Sequence, residues 1–101
     1  MKKRYAAALL GTVALDRESE EPLYRQLYFA IREAILDGRL RPGARLPSTR
    51  SLSDDLAVSR NTVVIAFDQL LAEGYVEGRI GAGTYVSTTL PEDLLAARPD
   101  K

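Results

Sequence analysis

Residues 48–74 have the sequence STRSLSDDLAVSRNTVVIAFDQLLAEG, which carries the signals of two helices joined by a tight turn. Ser48 is a favoured N-cap residue, and Leu52 and Leu56 follow it one helical turn apart. This spacing predicts a short helix over residues 49–56.

The second helix of this stretch begins after Ser59, another favoured N-cap residue. Ala57-Val58 leaves room only for a tight connection between the two helices. We expect the second helix to run from Arg60 to Glu73 and to end at Gly74, because glycine is the residue that most often terminates helices. Its predicted buried face is apolar and consists of Val63, Ala66, Phe67, Leu70 and Leu71.

The segment before this pair predicts another helix. Pro22 suits the first helical position, and the helix is expected to end at Asp37-Gly38. Apolar residues recur at helical spacing between these ends, at Leu23, Leu27, Ile31 and Ile35. A turn at Arg41-Pro42-Gly43 and a short extended segment, Ala44-Arg45-Leu46, then lead to Pro47.

Beyond Gly74 the apolar pattern changes from helical to alternating. Residues 75–80 and 84–87 predict two strands around the turn Gly81-Ala82-Gly83. Two short helices joined by a tight turn and followed by a β-hairpin form a winged helix-turn-helix. The expected fold is therefore α+β, a three-helix core with a C-terminal β-hairpin wing.

The composition argues against catalysis by this chain. The sequence has no cysteine and no histidine, which removes disulfides, thiolate zinc ligands and the commonest general base. The lysines, Lys2, Lys3 and Lys101, all lie at the chain ends. We expect this chain to be no enzyme and to hold no metal and no cofactor.

The first residues, MKKRYAAALLGTVAL, combine a basic start with a short apolar stretch. A secretory signal is the alternative interpretation, but no small-residue cleavage site follows, and no segment approaches the roughly 20 apolar residues that span a bilayer. We interpret residues 1–20 as an N-terminal arm that is either mobile or partly docked. The sequence predicts a cytoplasmic protein without membrane contact.

Charge is balanced overall but unevenly distributed. The chain has 14 basic and 14 acidic residues, and its net charge of zero by itself argues against nucleic acid. From Gly38 to Ser53, however, the charged residues are all arginines: Arg39, Arg41, Arg45 and Arg50. One face of the domain is therefore expected to be basic.

Several of these stretches resemble the DNA-binding domain of the GntR family, and within it the MocR subgroup. The segments that carry the resemblance are PLYRQL at 22–27, GRLRPGARLPSTRSL at 38–52, VSRNTV at 58–63, LLAEGYVEGRIGAGTYV at 70–86 and the trailing LP at 90–91. The likeness covers about residues 21–89. It implies a sequence-specific DNA-binding domain of a bacterial transcription regulator, with the recognition helix in the major groove and the wing on the adjacent backbone or minor groove.

The family motifs imply DNA contacts by Arg50 and Arg60. Helix N-termini and nearby arginines add phosphate contacts, for which Arg45 is the best candidate. The complete set of predicted DNA-binding residues is Arg45, Ser48, Thr49, Arg50, Ser59, Arg60, Asn61, Thr62, Val64, Ile65, Arg79, Gly81 and Gly83. Ordinary solvated arginines are the alternative for Arg79 and for part of the 39–45 group.

Two positions depart from the family pattern. Glycine is usual where Ala57 stands, so an altered turn is expected there, and many relatives have a basic residue in place of Val64. Ile65 falls on the outward side of the second helix of the pair, where it is either partly covered by the neighbouring helix or meets thymine methyl groups together with Val64.

The resemblance also concerns what lies beyond this chain. A MocR-type regulator continues into an aminotransferase-like domain that binds pyridoxal phosphate, so residues 90–101 are interpreted as a linker towards such a domain. The helix-turn-helix is placed at about 49–68 and the wing at about 75–87, within a domain of residues 21–89. The implied partner is a double-stranded DNA operator with two half-sites, bound by a homodimer of the full-length protein.

Two alternatives stay open at this point. One is the N-terminal piece of a pyridoxal-phosphate-dependent regulator whose activity lies outside this chain. The other is a winged-helix module that binds protein, which the zero net charge favours.

Overall fold

The computed structural model describes residues 8–89 and has the predicted winged helix-turn-helix fold. Residues 8–11 are helical and precede three longer helices and a hairpin. The elements are α1 (Leu23–Leu36), α2 (Thr49–Leu56), α3 (Arg60–Glu73), β1 (Val76–Arg79) and β2 (Gly83–Val86). The predicted linker at 90–101 and the first seven residues of the predicted arm lie outside the described residues.

One apolar core holds the three helices and the hairpin together. Its largest fully buried side chains are Leu10, Leu27, Ile31, Leu40, Leu52, Val63, Leu70 and Val86. They come from all three helices, from the hairpin, from the segment ahead of α1 and from the connection between α1 and α2, and α1 packs chiefly against α3. Because α2 and the hairpin both pack on α3, the core fixes the orientation of α3 relative to the wing.

The helix ends are capped as the sequence predicts. The Ser48 Oγ accepts a hydrogen bond from the Ser51 N–H at 3.0 Å, and the Ser59 Oγ accepts one from the Thr62 N–H at 3.1 Å. Gly74 ends α3 with φ 87°, a left-handed conformation that glycine adopts without steric cost. Both predicted N-caps and the predicted C-cap are therefore confirmed.

The wing is an antiparallel hairpin whose register runs from Val76 opposite Val86 to Arg79 opposite Gly83. The loop therefore comprises residues 80–82, and Gly83 belongs to β2 rather than to the predicted turn. The extended segment at 44–46 pairs with β2 from the other side, through an isolated bridge between Arg45 and Tyr85.

Two details of the helices differ from the sequence expectation. Leu71 is 40% exposed and is not part of the buried face. At 100° per residue it lies about 80° from Val63, at the margin of the apolar stripe, whereas Leu70 lies about 20° from it. Helix α1 begins at Leu23, so that Pro22 is its N-cap rather than its first helical residue.

Candidate nucleic-acid interface

The starts of α2 and α3 form the first group of candidate residues. Ser48 and Arg50 at α2, and Ser59, Arg60 and Asn61 at α3, are all exposed. The remaining candidates at these two helix starts, Thr49 and Thr62, are half-buried. The Thr62 hydroxyl lies 2.9 Å from the Ser59 Oγ, so this pair stiffens the first turn of α3.

Several backbone N–H groups at these helix starts have no hydrogen-bond acceptor within the described residues. The first N–H groups of a helix lack intrahelical acceptors, and the serine caps satisfy only the third N–H in each case. Within residues 8–89 nothing accepts a hydrogen bond from the N–H groups of Thr49, Arg50, Arg60 and Asn61. Donors of this kind, at the positive end of a helix dipole, suit an anionic ligand such as a phosphate.

The outward side of α3 is the second feature of the interface. Asn61, Ile65 and Asp68 are exposed, and Val64 at the flank is half-buried. Ile65 retains 37% of its accessible surface, so the predicted outward position of this aliphatic side chain is confirmed. The side that faces solvent thus begins polar and becomes apolar within one turn.

The wing forms a second group of candidates, centred on Arg45. A Cβ at Gly83 would lie 3.2 Å from the Arg45 Nε, so the guanidinium lies against the bare backbone of this glycine. Gly83 also has φ 114°, which side chains with a Cβ rarely adopt. Since Arg45 precedes Ser48 by three residues, the chain between the wing group and the start of α2 spans at most about 10 Å.

Arg79 belongs to the same group but is already engaged. Its Nη2 donates to the Glu77 carboxylate at 3.1 Å, and its guanidinium lies 4.1 Å from the centre of the Tyr85 ring. Gly81, the other predicted wing glycine, is exposed in the loop with φ 74°.

The arginines of residues 8–89 divide into two sets. The first set has partners within the chain: Arg17 with backbone carbonyls, Arg25 with Glu21, Arg32 with Tyr75, Arg39 with Asp37, and Arg79 with Glu77. The Arg39 guanidinium and N–H hold the pKa of Asp37 below its usual value. The second set consists of Arg41, Arg45, Arg50 and Arg60, whose guanidinium groups have no hydrogen-bonding or ionic partner in this part of the chain. All four lie between residues 41 and 60, where the candidate interface is.

The turn between α2 and α3 contains Ala57, which stands where glycine is usual in the family pattern. Ala57 has φ 56° and ψ 45°, and it is the one described residue other than glycine with a positive φ. The turn therefore keeps the left-handed geometry that glycine adopts most easily, and Ala57 bears the steric cost. The expectation of an altered turn is not supported by this backbone conformation.

Two residues with a bearing on the interface are absent from the sequence prediction. Ile80 is fully exposed at the tip of the wing, and an aliphatic residue directly before Gly81 is the signal that could have indicated it. Arg17 donates to the end of α2 across about 40 positions of sequence. No sequence pattern indicates a contact of that kind.

The described residues show neither a metal site nor a membrane span. Residues 8–89 contain no group of three or more histidine, cysteine, aspartate or glutamate side chains that could hold a metal ion. Within the same residues, no helix combines the length and the apolar character required to cross a bilayer.

Residues 23–86 match the family model described as bacterial regulatory proteins, gntR family. The probable rhizopine catabolism regulatory protein MocR of Rhizobium meliloti is 52% identical over 86 residues, which are 85% of this chain and 17% of that protein. The transcriptional regulator TauR of Rhodobacter capsulatus is 46% identical over 77 residues, 76% of this chain and 16% of its own length. The chain thus spans about a sixth of the length of these relatives.

Solved structures show the same fold. YtrA of Sulfolobus acidocaldarius, a GntR-family transcription factor, is similar with a TM-score of 0.73 and 33% identity over 83% of this chain and 88% of that one. AraR(DBD), solved in complex with operator ORR3, is similar with a TM-score of 0.64 and 30% identity over 73% of this chain and 89% of that one. The winged helix-turn-helix fold, with arginines at the starts of α2 and α3 that are unpaired within the described residues, is that of a DNA-binding domain of a transcription regulator. The chain belongs to the GntR family and is similar to its MocR-like members.

Proposed function

We propose that this domain binds a specific operator with α3 in the major groove and the wing on the adjacent backbone or minor groove. The observation that carries the proposal is the separation of the arginines, since those without a partner in the described chain are confined to residues 41–60. A folded protein in water gains little from leaving these guanidiniums unpaired, whereas phosphates supply the matching charge.

The proposed contacts divide by the chemistry of each side chain. Arg45, the helix starts at Ser48, Thr49 and Ser59, and the wing residues Arg79, Gly81 and Gly83 would meet phosphates or the minor groove, which fixes orientation. Arg50 and Arg60 have the fork geometry that recognises guanine edges, and the Asn61 amide suits adenine. Thr62 lies in the same first turn of α3, while Val64 and Ile65 offer apolar surface to thymine methyl groups.

We further propose that the parent protein acts as a homodimer on two half-sites. A winged helix-turn-helix of this size reads one short half-site, and two copies bound about one helical turn apart give longer and more selective sites. The matched residues cover only 17% of the Rhizobium meliloti relative, which leaves room for a dimerising or effector-binding domain outside this chain. In this proposal the chain contributes binding and no catalysis, and it works in the cytoplasm, where bacterial DNA lies.

The test begins with selection of bound duplexes from a random DNA pool. Arg50→Ala and Arg60→Ala should each weaken binding to the selected duplex by about 1–3 kcal/mol if they read base edges. Arg45→Ala should weaken all duplexes alike and reduce the salt slope by about one. Arg39→Ala is the matched control, because that exposed arginine is already paired with Asp37. Equal affinities for all four variants and the wild type would show that the interface is placed wrongly.

A further inference from the structure

The segment ahead of α1 reaches the helix-turn-helix from outside the region that matches the family model. The Arg17 Nη2 donates to the backbone carbonyls of Leu56 and Ala57, each at 3.0 Å. These carbonyls end α2 and begin its turn towards α3. The family match starts only at residue 23.

Arg17 is held in this place by its neighbours. The Asp16 N–H donates to the Gln26 Oε1 at 2.8 Å, and the Gln26 Nε2 donates back to the Asp16 carbonyl at 3.0 Å. Further upstream, Leu10 is only 1% exposed and is part of the core. The backbone that leads into Arg17 is therefore fixed to the three-helix body.

A positive charge is expected to stabilise the C-terminal end of α2. The last carbonyls of a helix lack intrahelical donors and form the negative end of its dipole. Asp54 and Asp55, in the last turn of α2, add negative charge there. Ala57 then takes a left-handed conformation, which costs a non-glycine residue steric energy. The two hydrogen bonds from Arg17 satisfy carbonyls at this strained position and offset the local negative charge.

Only Ala57 and Val58 separate α2 from Ser59, the N-cap of α3. The backbone torsions of these two residues therefore set the direction in which α3 leaves the turn. We propose that Arg17 is a positioning residue that fixes the turn between α2 and α3 and thereby aligns α3 with its operator. The proposal rests on the proposed DNA-binding function, and it extends the functional unit upstream of the family match.

The first experiment measures the turn itself and needs no DNA. In Arg17→Gln of the full chain, exchange of the Val58 amide, which donates to the Ser53 carbonyl, should become about tenfold faster. The Leu40 amide, which donates to the Ala34 carbonyl away from the turn, is the internal control and should keep its rate. Equal acceleration of both amides, or of neither, would overturn the positioning role.

The second experiment separates positioning from direct phosphate contact. Binding is measured well below the unfolding temperature, on a duplex selected from a random pool and on a scrambled duplex of the same composition. Arg17→Gln should weaken binding to the selected duplex about tenfold, leave the scrambled duplex within about twofold, and keep the salt slope. Equal losses on both duplexes with a smaller slope would make Arg17 a phosphate contact and overturn the proposal.

Three further proteins complete this design. Arg25→Gln removes an arginine of α1 that pairs with Glu21, and it should match the wild type on both duplexes. Arg17→Lys keeps the charge and should restore most of the selectivity. Gln26→Ala releases the backbone beside Arg17 and should reproduce part of the loss. If neither Arg17→Gln nor Gln26→Ala changes selectivity, the inference is wrong, whereas a wild type without selectivity refutes the proposed function and this inference with it.

Discussion

The two ends of α3 differ in how their polar groups are satisfied. At the start, Arg60 and the N–H groups of Arg60 and Asn61 have no acceptor or counter-charge within residues 8–89. At the far end, the Tyr28 hydroxyl of α1 donates to the Glu73 carboxylate, which also accepts from Gln69 at 3.2 Å. We call the start of α3 its open end, because its polar groups lack partners in the described chain. The end at Glu73 is called the closed end, because its carboxylate is hydrogen-bonded within the chain.

A small domain combines stability with binding by assigning the two tasks to different groups of the same helix. The closed end fixes α3 to α1 through buried apolar contacts and a hydrogen bond, and Val63 anchors the other end in the core, so the exposed polar groups at the start of α3 do not have to contribute to folding. Because exposed ion pairs contribute little to stability, the unpaired charges at the open end cost the fold little and are available to a ligand. Substitutions at the two ends should therefore affect different measurements.

The largest expected effect is on the free energy of unfolding and comes from a substitution near the closed end of α3. Leu70→Ala should lower the free energy of unfolding by about 2–5 kcal/mol, because Leu70 is completely buried and its truncation leaves a cavity. Leu71→Ala, the adjacent change at a side chain that is 40% exposed, should cost less than about 1 kcal/mol. Urea denaturation of both variants measures the difference. Similar costs would mean that Leu71 belongs to the core after all.

The next effect concerns the apolar part of the open side. If Ile65 contacts thymine methyl groups, Ile65→Ala should weaken binding to the selected duplex by about 1–2 kcal/mol and leave the salt slope unchanged, since no phosphate contact is lost. Replacing thymine by uracil at each position of the duplex identifies the methyl groups involved. An operator on which no such replacement weakens wild-type binding would exclude this contact.

A smaller effect is expected at the Tyr28–Glu73 contact. The hydrogen bond from Tyr28 lowers the pKa of Glu73, and burial together with Glu73 raises the pKa of Tyr28 to about 12. The stabilisation linked to Glu73 is therefore present above its unfolded pKa and lost as the pH falls through the lowered value. That linked to Tyr28 is present below about pH 10 and lost as the pH rises towards 12.

Tyr28→Phe keeps the ring and removes the hydroxyl, so it should cost about 1 kcal/mol at neutral pH. The difference between variant and wild type should shrink on acidification below the unfolded pKa of glutamate, about 4.3. Unfolding curves from neutral pH down to strongly acidic pH test this directly. A difference that stays constant over that whole range would show that the carboxylate contributes nothing.

The smallest effect is predicted for the turn that leads into α3. Ala57→Gly removes the steric cost of the left-handed conformation but increases the conformational freedom of the unfolded chain, so a net gain below about 1 kcal/mol is expected. Thermal unfolding is the measurement. A loss of stability would mean that the alanine methyl makes a favourable contact in the folded state.

Local rules account for most of the fold. Ser48, Ser59 and Gly74 are predictable as caps because each acts within three or four residues of its own position. The wing follows from the change in apolar period after Gly74. The same periodicity fails for Leu71, since a residue about 80° from the centre of a stripe is covered only where a neighbouring element extends far enough.

The candidate site is predictable in part and for a different reason. The helix-start residues follow from spacing and from the likeness to a family, whereas the lack of partners for Arg45, Arg50 and Arg60 is visible only in three dimensions. The guanidinium of Arg45 lies against Gly83, far along the chain, and the contact between Arg17 and Ala57 joins segments 40 positions apart. Propensities and periods describe neighbours in sequence and do not report such contacts.

The outward side of α3 has a consequence for the evolution of DNA preference. Asn61 and Ile65 are exposed, and the helix is held by Leu70 and Glu73 nearer its other end. Exposed positions of this kind tolerate most substitutions within about 0.5 kcal/mol. If Asn61 and Ile65 read bases as proposed, a lineage can exchange them and acquire a new operator through single mutations, without first having to gain stability to offset them.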